Sequence, residues 1–246
     1  MKFINTRPAD RAEPLRLALQ NLGHHVLDLP LLELKPLVLD AHLTAQYTAF
    51  LQADMVVVVS PIAAEIGLSY YCALNLDINQ LQHKTWIAVG KSTAHVLKQY
   101  GIDSVVPEVE TSEGMLSLPE IGALAQSTVA FWRGIGGRTF MMSELEANGF
   151  TVLNMLLYTR QMPEMSLLKD VLLLQKDDMV LISSEASWHN WLKLLSSFNY
   201  QSLDYRYVVL GDRVSEIVKQ AGASCFTVYT LKADELHQMI LKCNAS

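Results

Sequence analysis

At 246 residues the chain is too long for one small α/β domain and long enough for two, and with half of its residues hydrophobic and 18% charged it is not a disordered protein. Its formal net charge is −6, and Lys and Arg form no run, so the basic stripe that nucleic-acid-binding proteins need is missing and we expect no nucleic-acid partner. If the ligand is an anion, clustered basic side chains are not the main way of holding it.

The cysteines and the apolar runs bear on the compartment. Cys72, Cys225 and Cys243 are odd in number and widely spaced, which argues against a disulfide framework and for reducing surroundings. The first residues lead into a strand-like segment with no signal peptide ahead of it. Apolar runs such as 55–59 are far shorter than the ~20 residues of a membrane span. We therefore expect a cytosolic protein with no membrane partner.

Short apolar runs alternate with helical patterns along the chain. In the helical segments apolar residues fall at i, i+3, i+4 and i+7, as at 214–221, 188–195 and 236–243. Glycines follow such segments at positions 23, 101, 149 and 222, where a left-handed C-terminal residue is favoured. This alternation predicts an α/β fold with parallel sheets covered by helices. The predicted strands are 2–6, 25–30, 54–59, 85–89, 104–106, 128–132, 151–157, 178–183, 206–210 and 224–228.

The second half of the chain repeats features of the first. Arg7, Leu19, Gly23 and Val26 recur 126 residues later as Arg133, Leu145, Gly149 and Val152. Asp54-Met55-Val56 with Ser60 recurs as Asp178-Met179-Val180 with Ser184, and Gly90 with Lys98, Gln99 and Gly101 recurs as Gly211 with Lys219, Gln220 and Gly222. Three matches in the same order with nearly one offset indicate two similar lobes.

Two extended stretches, near 31–37 and 156–163, interrupt the alternation. Each follows a strand and contains a proline, which favours extended backbone before it. We interpret them as linkers that cross between the lobes. Lobe one then consists of residues 1–36 and 163–246, lobe two of residues 37–157, and the functional site is expected in the cleft. A plain division into tandem halves remains the alternative.

The candidate site residues follow strands, because ligands of open parallel sheets bind at the carboxyl ends of strands, where helix N-termini also point. Free N–H groups there hold carboxylates or phosphates, each helix end contributing about 0.3–1 kcal/mol. The hydroxyl groups are equally expected as helix N-caps, and the arginines as ties between a strand end and a loop. The candidates are Arg7, Ser60, Gly90, Ser92, Thr93, Ser112, Arg133, Gly134, Ser183, Ser184, Gly211, Asp212 and Arg213.

Other chemistry finds little support in the sequence. Segment 133–137 resembles a dinucleotide-binding turn but lacks the full glycine spacing. The seven histidines do not group with cysteines or carboxylates at metal-ligand spacing, and no nucleophile elbow, Walker loop or carboxylate pair occurs. We therefore expect neither a metal nor a cofactor. Tyr158, in the second crossing, places a phenol that donates a hydrogen bond without carrying charge beside the expected cleft, although its position alone favours a structural tyrosine packed with its hydroxyl outward.

Taken together, these stretches resemble the uroporphyrinogen III synthase family of tetrapyrrole biosynthesis. The resemblance covers nearly the whole chain, and it is the complete order of individually weak motifs that is specific. The motifs are Thr6-Arg7-Pro8, Val59-Ser60-Pro61, Ala88-Val89-Gly90 with Thr93, Pro107 with Ser112-Glu113-Gly114, Arg133-Gly134 with Gly137-Arg138, Leu145, Gly149, Tyr158, Ser183-Ser184, Gly211 and Ala233-Asp234-Glu235-Leu236.

The resemblance implies two flavodoxin-like lobes joined by a two-stranded extended linker, and a cofactor-free reaction in the cleft. Linear hydroxymethylbilane loses its hydroxyl as water and closes to uroporphyrinogen III with inversion of the last pyrrole ring. It further implies that Tyr158 helps the hydroxyl depart, and that backbone N–H groups and hydroxyls receive the eight substrate carboxylates. A transient contact with the deaminase that acts in the preceding step of the pathway remains a further possible partner interaction.

Two positions depart from the family pattern. Many relatives have Pro-Thr-Thr after the glycine that matches Gly211, whereas this chain has Asp212-Arg213-Val214, so a side-chain role at Val214 is doubtful. Ile62 stands where relatives often have a basic or polar residue.

Two other functions compete with the synthase: a non-catalytic, two-lobed small-anion binding or sensor protein, and a nucleotide-dependent transferase suggested by segment 133–137.

Overall fold

The computed structural model describes residues 1–123, 127–164 and 168–244. The chain divides into two compact units, which we call the first unit (Met1–Glu33 with Gln161–Ser246) and the second unit (Leu34–Arg160). Of the predicted lobe one, residues 165–167 and 245–246 lie outside the described residues. The strands are β1 (Phe3–Asn5), β2 (Val26–Asp28), β3 (Glu33–Pro36), β4 (Met55–Val58), β5 (Thr85–Ala88), β6 (Thr128–Gly134), β7 (Thr151–Gln161), β8 (Met179–Ile182), β9 (Arg206–Leu210) and β10 (Cys225–Val228).

Each unit is built on a five-stranded sheet. The first unit has the order β10-β9-β8-β1-β2, and all of its strand pairs are parallel. The second unit has the order β3-β7-β6-β4-β5, in which β7, β6, β4 and β5 are parallel. The α/β fold class with two predominantly parallel sheets is confirmed.

Helices connect the parallel strands, as right-handed crossovers require. Their apolar stripes face the sheets, so that the predicted residues Trp188, Trp191 and Leu195 are buried, as are Leu236 and Ile240. The helices are α1 (Ala9–Asn21), α2 (Ala41–Phe50), α3 (Pro61–Ala73), α4 (Lys91–Gln99), α5 (Ser112–Leu116), α6 (Pro119–Ala123), α7 (Phe140–Ala147), α8 (Glu185–Ser197), α9 (Asp212–Gln220) and α10 (Ala233–Asn244), with short 3-10 turns at Ile78–Leu81, Lys169–Leu173 and Ser202–Asp204.

Both faces of each sheet are buried, which explains the continuous apolar strands. In the second unit Val56 and Val58 pack on one face with Trp132, while Met55 and Val57 pack on the other. Trp86 and Trp132 meet edge to face with ring centroids 5.2 Å apart. Fully burying side chains of this size stabilises the fold by about 1.5–3 kcal/mol each. No described helix has the length and apolarity to cross a membrane.

One predicted strand is not formed, and the two extended stretches are part of a sheet. Residues 104–106 do not form a strand, and only Val105 bridges to Ile87. The two extended stretches expected as a two-stranded linker between the lobes contain strand β3 and the end of β7, which lie next to each other in the sheet. Leu37 N–H donates to Leu157 O at 2.9 Å and Gln161 Nε2 donates to Glu33 Oε1 at 2.8 Å, so these strands run antiparallel. An antiparallel partner satisfies the backbone of a stretch that otherwise needs water.

The repeat in the sequence corresponds to a repeated contact. Asp54 accepts a hydrogen bond from Thr128 N–H at 2.9 Å, and Asp178 accepts one from Lys2 N–H at 2.7 Å. Thr128 lies 126 residues after Lys2, which is the offset of the first matched set in the sequence. In each unit the repeated aspartate therefore fixes the start of a neighbouring strand.

Candidate active site

The carboxyl edge of the second unit's sheet borders a cavity of about 330 Å³. This volume is at the small end of the range for ligand pockets in general. Phe131, Met115, Met141 and Met142 form an apolar wall. Methionine sulfur makes favourable contacts with aromatic rings, so this wall suits a flat aromatic ligand. Of the predicted site residues, the cavity is lined by Ser112, Arg133, Gly134 and Tyr158.

Tyr158 lies on β7 beside a break in strand register. Arg133 pairs with Leu156 while the next residue, Gly134, pairs with Tyr158, so β7 has one extra residue at this point. Bulges of this kind re-aim side chains and are frequent next to active sites. The Tyr158 ring packs on Gly134, where a Cβ would lie 2.6 Å from the ring. Glycine at 134 is therefore required by the position of the tyrosine.

The Tyr158 hydroxyl meets a helix N-cap. It lies 3.1 Å from Ser60 Oγ, and either oxygen is able to donate. Ser60 caps α3 in the predicted way, since its Oγ accepts from Ala63 N–H at 3.2 Å. Ser60 thus connects the phenol to the positive end of a 13-residue helix. Tyr158 is only 2% exposed, and it borders the cavity.

Arg133 is 5% exposed and holds its own loop. Its guanidinium donates to Gly136 O, to Gly137 O at 3.2 Å, and towards Met142 Sδ at 3.1 Å. This is the tie between a strand end and a loop that was one of its two expected roles. Its role as a substrate ligand stays a prediction.

The N-terminus of α4 already has a carboxylate. Lys91 N–H donates to Glu110 Oε1 at 3.0 Å, and a Cβ at Gly90 would overlap the Glu110 carboxyl group. The helix is capped by Gly90, so Ser92 and Thr93 lie inside its first turn and are not N-caps. Thr93 is fully buried, and its hydroxyl has no hydrogen-bond partner among the described residues.

Ser112 also lies inside a helix. The N-cap of α5 is Thr111, whose hydroxyl accepts from Gly114 N–H at 3.1 Å. The N-cap interpretation of Ser92, Thr93 and Ser112 was therefore wrong, because a residue before them in each helix has the extended backbone that an N-cap needs.

The remaining candidates lie at the carboxyl edge of the first unit's sheet. Ser184 forms a capping box with Ser187 at the start of α8. Gly211 begins α9 with φ of 77°, which favours glycine. Asp212 accepts a hydrogen bond from Tyr229 Oη at 2.7 Å, and Arg213 forms an ion pair with Glu185. The other two candidates at this edge are Arg7 and Ser183. None of these six residues lines the cavity of the second unit.

Sequence reasoning missed three charged residues of the cavity: Glu110, Arg138 and Arg160. A signal existed for Arg160. It is two residues after Tyr158 in an extended stretch, and alternate residues of a strand share a face. Glu110 has no such signal, since it lies in an irregular segment well separated in sequence from the helix N-terminus that it contacts. Over residues 1–123, 127–164 and 168–244, no cluster of three or more His, Cys, Asp or Glu side chains could hold a metal ion.

Comparison with known proteins bears on this arrangement. The model of the HEM4 family, described as uroporphyrinogen-III synthase HemD, matches residues 13–230. Uroporphyrinogen-III synthase of Escherichia coli K12 is 28% identical over 159 residues, which are 62% of this chain, and the chain spans 62% of the length of that relative.

Solved structures show the same fold. A mutant uroporphyrinogen III synthase from Thermus thermophilus matches with a TM-score of 0.63 at 16% identity, covering 100% of both chains. Uroporphyrinogen-III synthetase from Helicobacter pylori 26695 matches with a TM-score of 0.61 at 12% identity, covering 98% of this chain and 99% of that one. Because the family model matches far more than half of its residues, the chain belongs to the uroporphyrinogen-III synthase family.

Proposed function

We propose that the protein is a uroporphyrinogen-III synthase, a cyclising lyase that converts hydroxymethylbilane to uroporphyrinogen III with loss of water and inversion of the last pyrrole ring. The observation that carries the proposal, beside family membership, is the Tyr158–Ser60 hydrogen bond of 3.1 Å at the cavity wall. The cytosolic location and a transient contact with the preceding deaminase stay predictions.

The first step needs a proton donor for the leaving hydroxyl. Hydroxide departs poorly from carbon unless it is protonated or hydrogen-bonded, and the phenol hydroxyl of Tyr158 borders the cavity as a hydrogen-bond donor. If Ser60 donates to the Tyr158 oxygen, the phenol proton is directed at the ligand in the cavity. Ser60 and the N-terminus of α3 also favour the negative charge that grows on the phenol oxygen as its proton shifts.

The apolar wall supports the second requirement, which is the exclusion of water. After hydroxide has left, the exposed carbon reacts with any nucleophile, and water would regenerate the starting alcohol. Met115, Met141 and Phe131 cover one side of the cavity with apolar side chains that keep water from that side. The ring that carries the cation is then free to meet the last pyrrole.

The nucleotide-dependent transferase is less well supported by the geometry. In a dinucleotide-binding turn the glycine backbone leads directly into a helix whose N–H groups face the phosphates. Here the Gly136 and Gly137 carbonyls are bound by Arg133, and α7 begins only at Phe140. The carbonyl groups of this loop therefore bind the guanidinium of Arg133.

The proposal is tested by supplying hydroxymethylbilane to the purified protein and identifying the porphyrin isomer after oxidation. The substrate closes spontaneously to the type I isomer, so type III product in excess of a protein-free control supports the synthase. Type I product alone, with bound tetrapyrrole, would support the non-catalytic anion-binding protein instead. Type I product without binding would exclude both.

A further inference from the structure

Two arginines of the cavity, Arg138 and Arg160, have no part in the chemistry described so far. Both line the cavity with Tyr158. The third arginine, Arg133, differs from them, because its guanidinium is buried on the carbonyl groups of its own loop. The positive charge of Arg138 and Arg160 therefore remains available to a ligand.

Arg160 is exposed, and among the described residues its guanidinium makes no hydrogen bond or ion pair. A planar guanidinium binds a carboxylate through two parallel hydrogen bonds, which Lys does not reproduce. Arg160 and Tyr158 are alternate residues of β7 and border the same cavity, while Thr159 between them does not. Their Cα atoms are thus separated by about two strand residues, roughly 6–7 Å.

Arg138 is held only loosely. Its Nη1 lies 3.5 Å from Glu113 Oε1, and the two side chains are 75% and 53% exposed. Exposed pairs of this kind contribute little to stability, so a ligand carboxylate competes easily for the guanidinium. The cavity therefore presents a free arginine, a weakly paired arginine and an apolar wall beside the phenol.

We propose that Arg160, assisted by Arg138, binds the carboxylates of the pyrrole that carries the leaving hydroxymethyl group and so positions that group against Tyr158. The inference rests on the proposed function. Each pyrrole of hydroxymethylbilane carries two side chains that end in a carboxylate, on the ring carbons beside its α positions, and the hydroxymethyl group is on an α carbon. A carboxylate held by Arg160 thus places the hydroxyl within reach of the residue two positions earlier.

The test compares Arg160→Gln, Arg160→Lys and Arg138→Gln with Lys98→Gln. Lys98 is a matched control, because it is an exposed cation of the second unit that is paired with Asp103 and is absent from the cavity. We would measure kcat and KM for type III product, and the affinity of each protein for uroporphyrin, with eight carboxylates, and coproporphyrin, with four, by fluorescence.

We expect Arg160→Gln to raise KM and weaken uroporphyrin binding by about 10- to 100-fold, as for loss of a charge-assisted, two-bond contact. Arg160→Lys should recover part of the loss and Arg138→Gln should cost less, whereas Lys98→Gln should match the wild type. Tyr158→Phe should also slow turnover less in the Arg160→Gln background than in the wild type, because the hydroxyl is no longer positioned.

Failure of this inference and failure of the proposed function are distinguishable. If the wild type makes type III product and Arg160→Gln keeps the KM and uroporphyrin affinity of Lys98→Gln, the role of Arg160 is overturned while the synthase stands. If the wild type makes no type III product, the synthase is overturned, and the porphyrin titrations still decide whether Arg160 binds carboxylates.

Discussion

At the scale of single residues, the hydroxyl groups of Tyr158 and Ser60 have to satisfy one another and still serve a ligand. Ser60 Oγ accepts a hydrogen bond from Ala63 N–H and also contacts the phenol oxygen of Tyr158. In the Ser60–Tyr158 hydrogen bond, either the serine hydroxyl or the phenol is the donor. A ligand hydroxyl in the cavity is an acceptor for the phenol proton, and it favours the arrangement in which Ser60 donates to Tyr158. Under the proposed function, we therefore expect the side chain of Ser60 to orient the phenol proton, in addition to its N-cap role.

We predict that Tyr158→Phe lowers turnover by roughly 10- to 100-fold, at or below the low end of the range for positioned acid catalysis, because the pyrrole also expels hydroxide unaided. Initial rates of type III formation check this. Tyr71→Phe is the matched control, since its buried hydroxyl donates to Asp77 O at 2.8 Å and does not border the cavity. Wild-type turnover in a folded Tyr158→Phe protein would remove the residue from the mechanism.

His24 provides a pH prediction. Its Nε2 lies 2.8 Å from His237 Nδ1, and partial burial, followed by the charge of His237, lowers the pKa of His24 below its ordinary value of 6.5. Folding therefore favours neutral His24, so the unfolded chain binds more protons once the pH falls below about 6.5. His24 therefore makes its full contribution to the stability of the folded state above that pH. The contribution is lost as the pH falls through the pKa that His24 has in the folded protein.

Thermal unfolding followed from about pH 7.5 to pH 5.5 measures this effect. We expect His24→Gln to flatten the decrease in melting temperature on the acid side. His42→Gln, an exposed histidine of α2, should leave the decrease as in the wild type. An unchanged slope in His24→Gln would assign the acid sensitivity to other groups.

At the scale of elements, the repeated aspartates show how one contact is used in two environments. Asp178 is fully buried and accepts from Lys2 N–H at 2.7 Å and from Gln175 N–H at 2.8 Å. Asp54 is exposed and accepts from Thr128 N–H at 2.9 Å. Removing a buried acceptor leaves its donors unsatisfied, whereas water replaces an exposed one.

We predict that Asp178→Ala lowers the free energy of unfolding by about 2–4 kcal/mol, since two hydrogen bonds to a charged group are lost. Asp54→Ala should cost no more than about 1 kcal/mol. Urea unfolding of both variants provides the comparison. Equal losses in the two would show that burial of the aspartate does not set its contribution.

Strands β3 and β7 are elements that pattern alone did not identify as paired. Residues 31–37 and 156–163 were recognised as extended, because proline and strand-forming residues are local features. Their pairing depends on contacts between residues more than 100 positions apart in the sequence, such as Glu33 and Gln161. No local sequence signal specifies such a partner for a strand of four residues.

At the scale of the whole molecule, a reaction without metal or nucleotide is expected from the donor groups that line the cavity. They include a phenol, hydroxyl groups and guanidinium groups, which bind anions and donate hydrogen bonds but coordinate cations poorly, and the carboxylate of Glu110, which already accepts a hydrogen bond from Lys91 N–H. We predict that type III formation survives exhaustive treatment with EDTA and needs no added nucleotide. Activity that is lost with EDTA and restored by a divalent metal would contradict this and indicate a metal site.

Local sequence patterns were enough to predict the α/β class, nine of the ten expected strands and the left-handed glycines at helix ends, all four of which have φ between 76° and 87°. These features depend on periodicity and on residues within one turn of each other. The tertiary structure alone decided that Tyr158 meets Ser60, that Glu110 occupies the N-terminus of α4, and that Arg160 shares a cavity with the phenol. Their positions follow from which strands become neighbours, and strand order is set by burial summed over a whole sheet, to which no single segment is a guide.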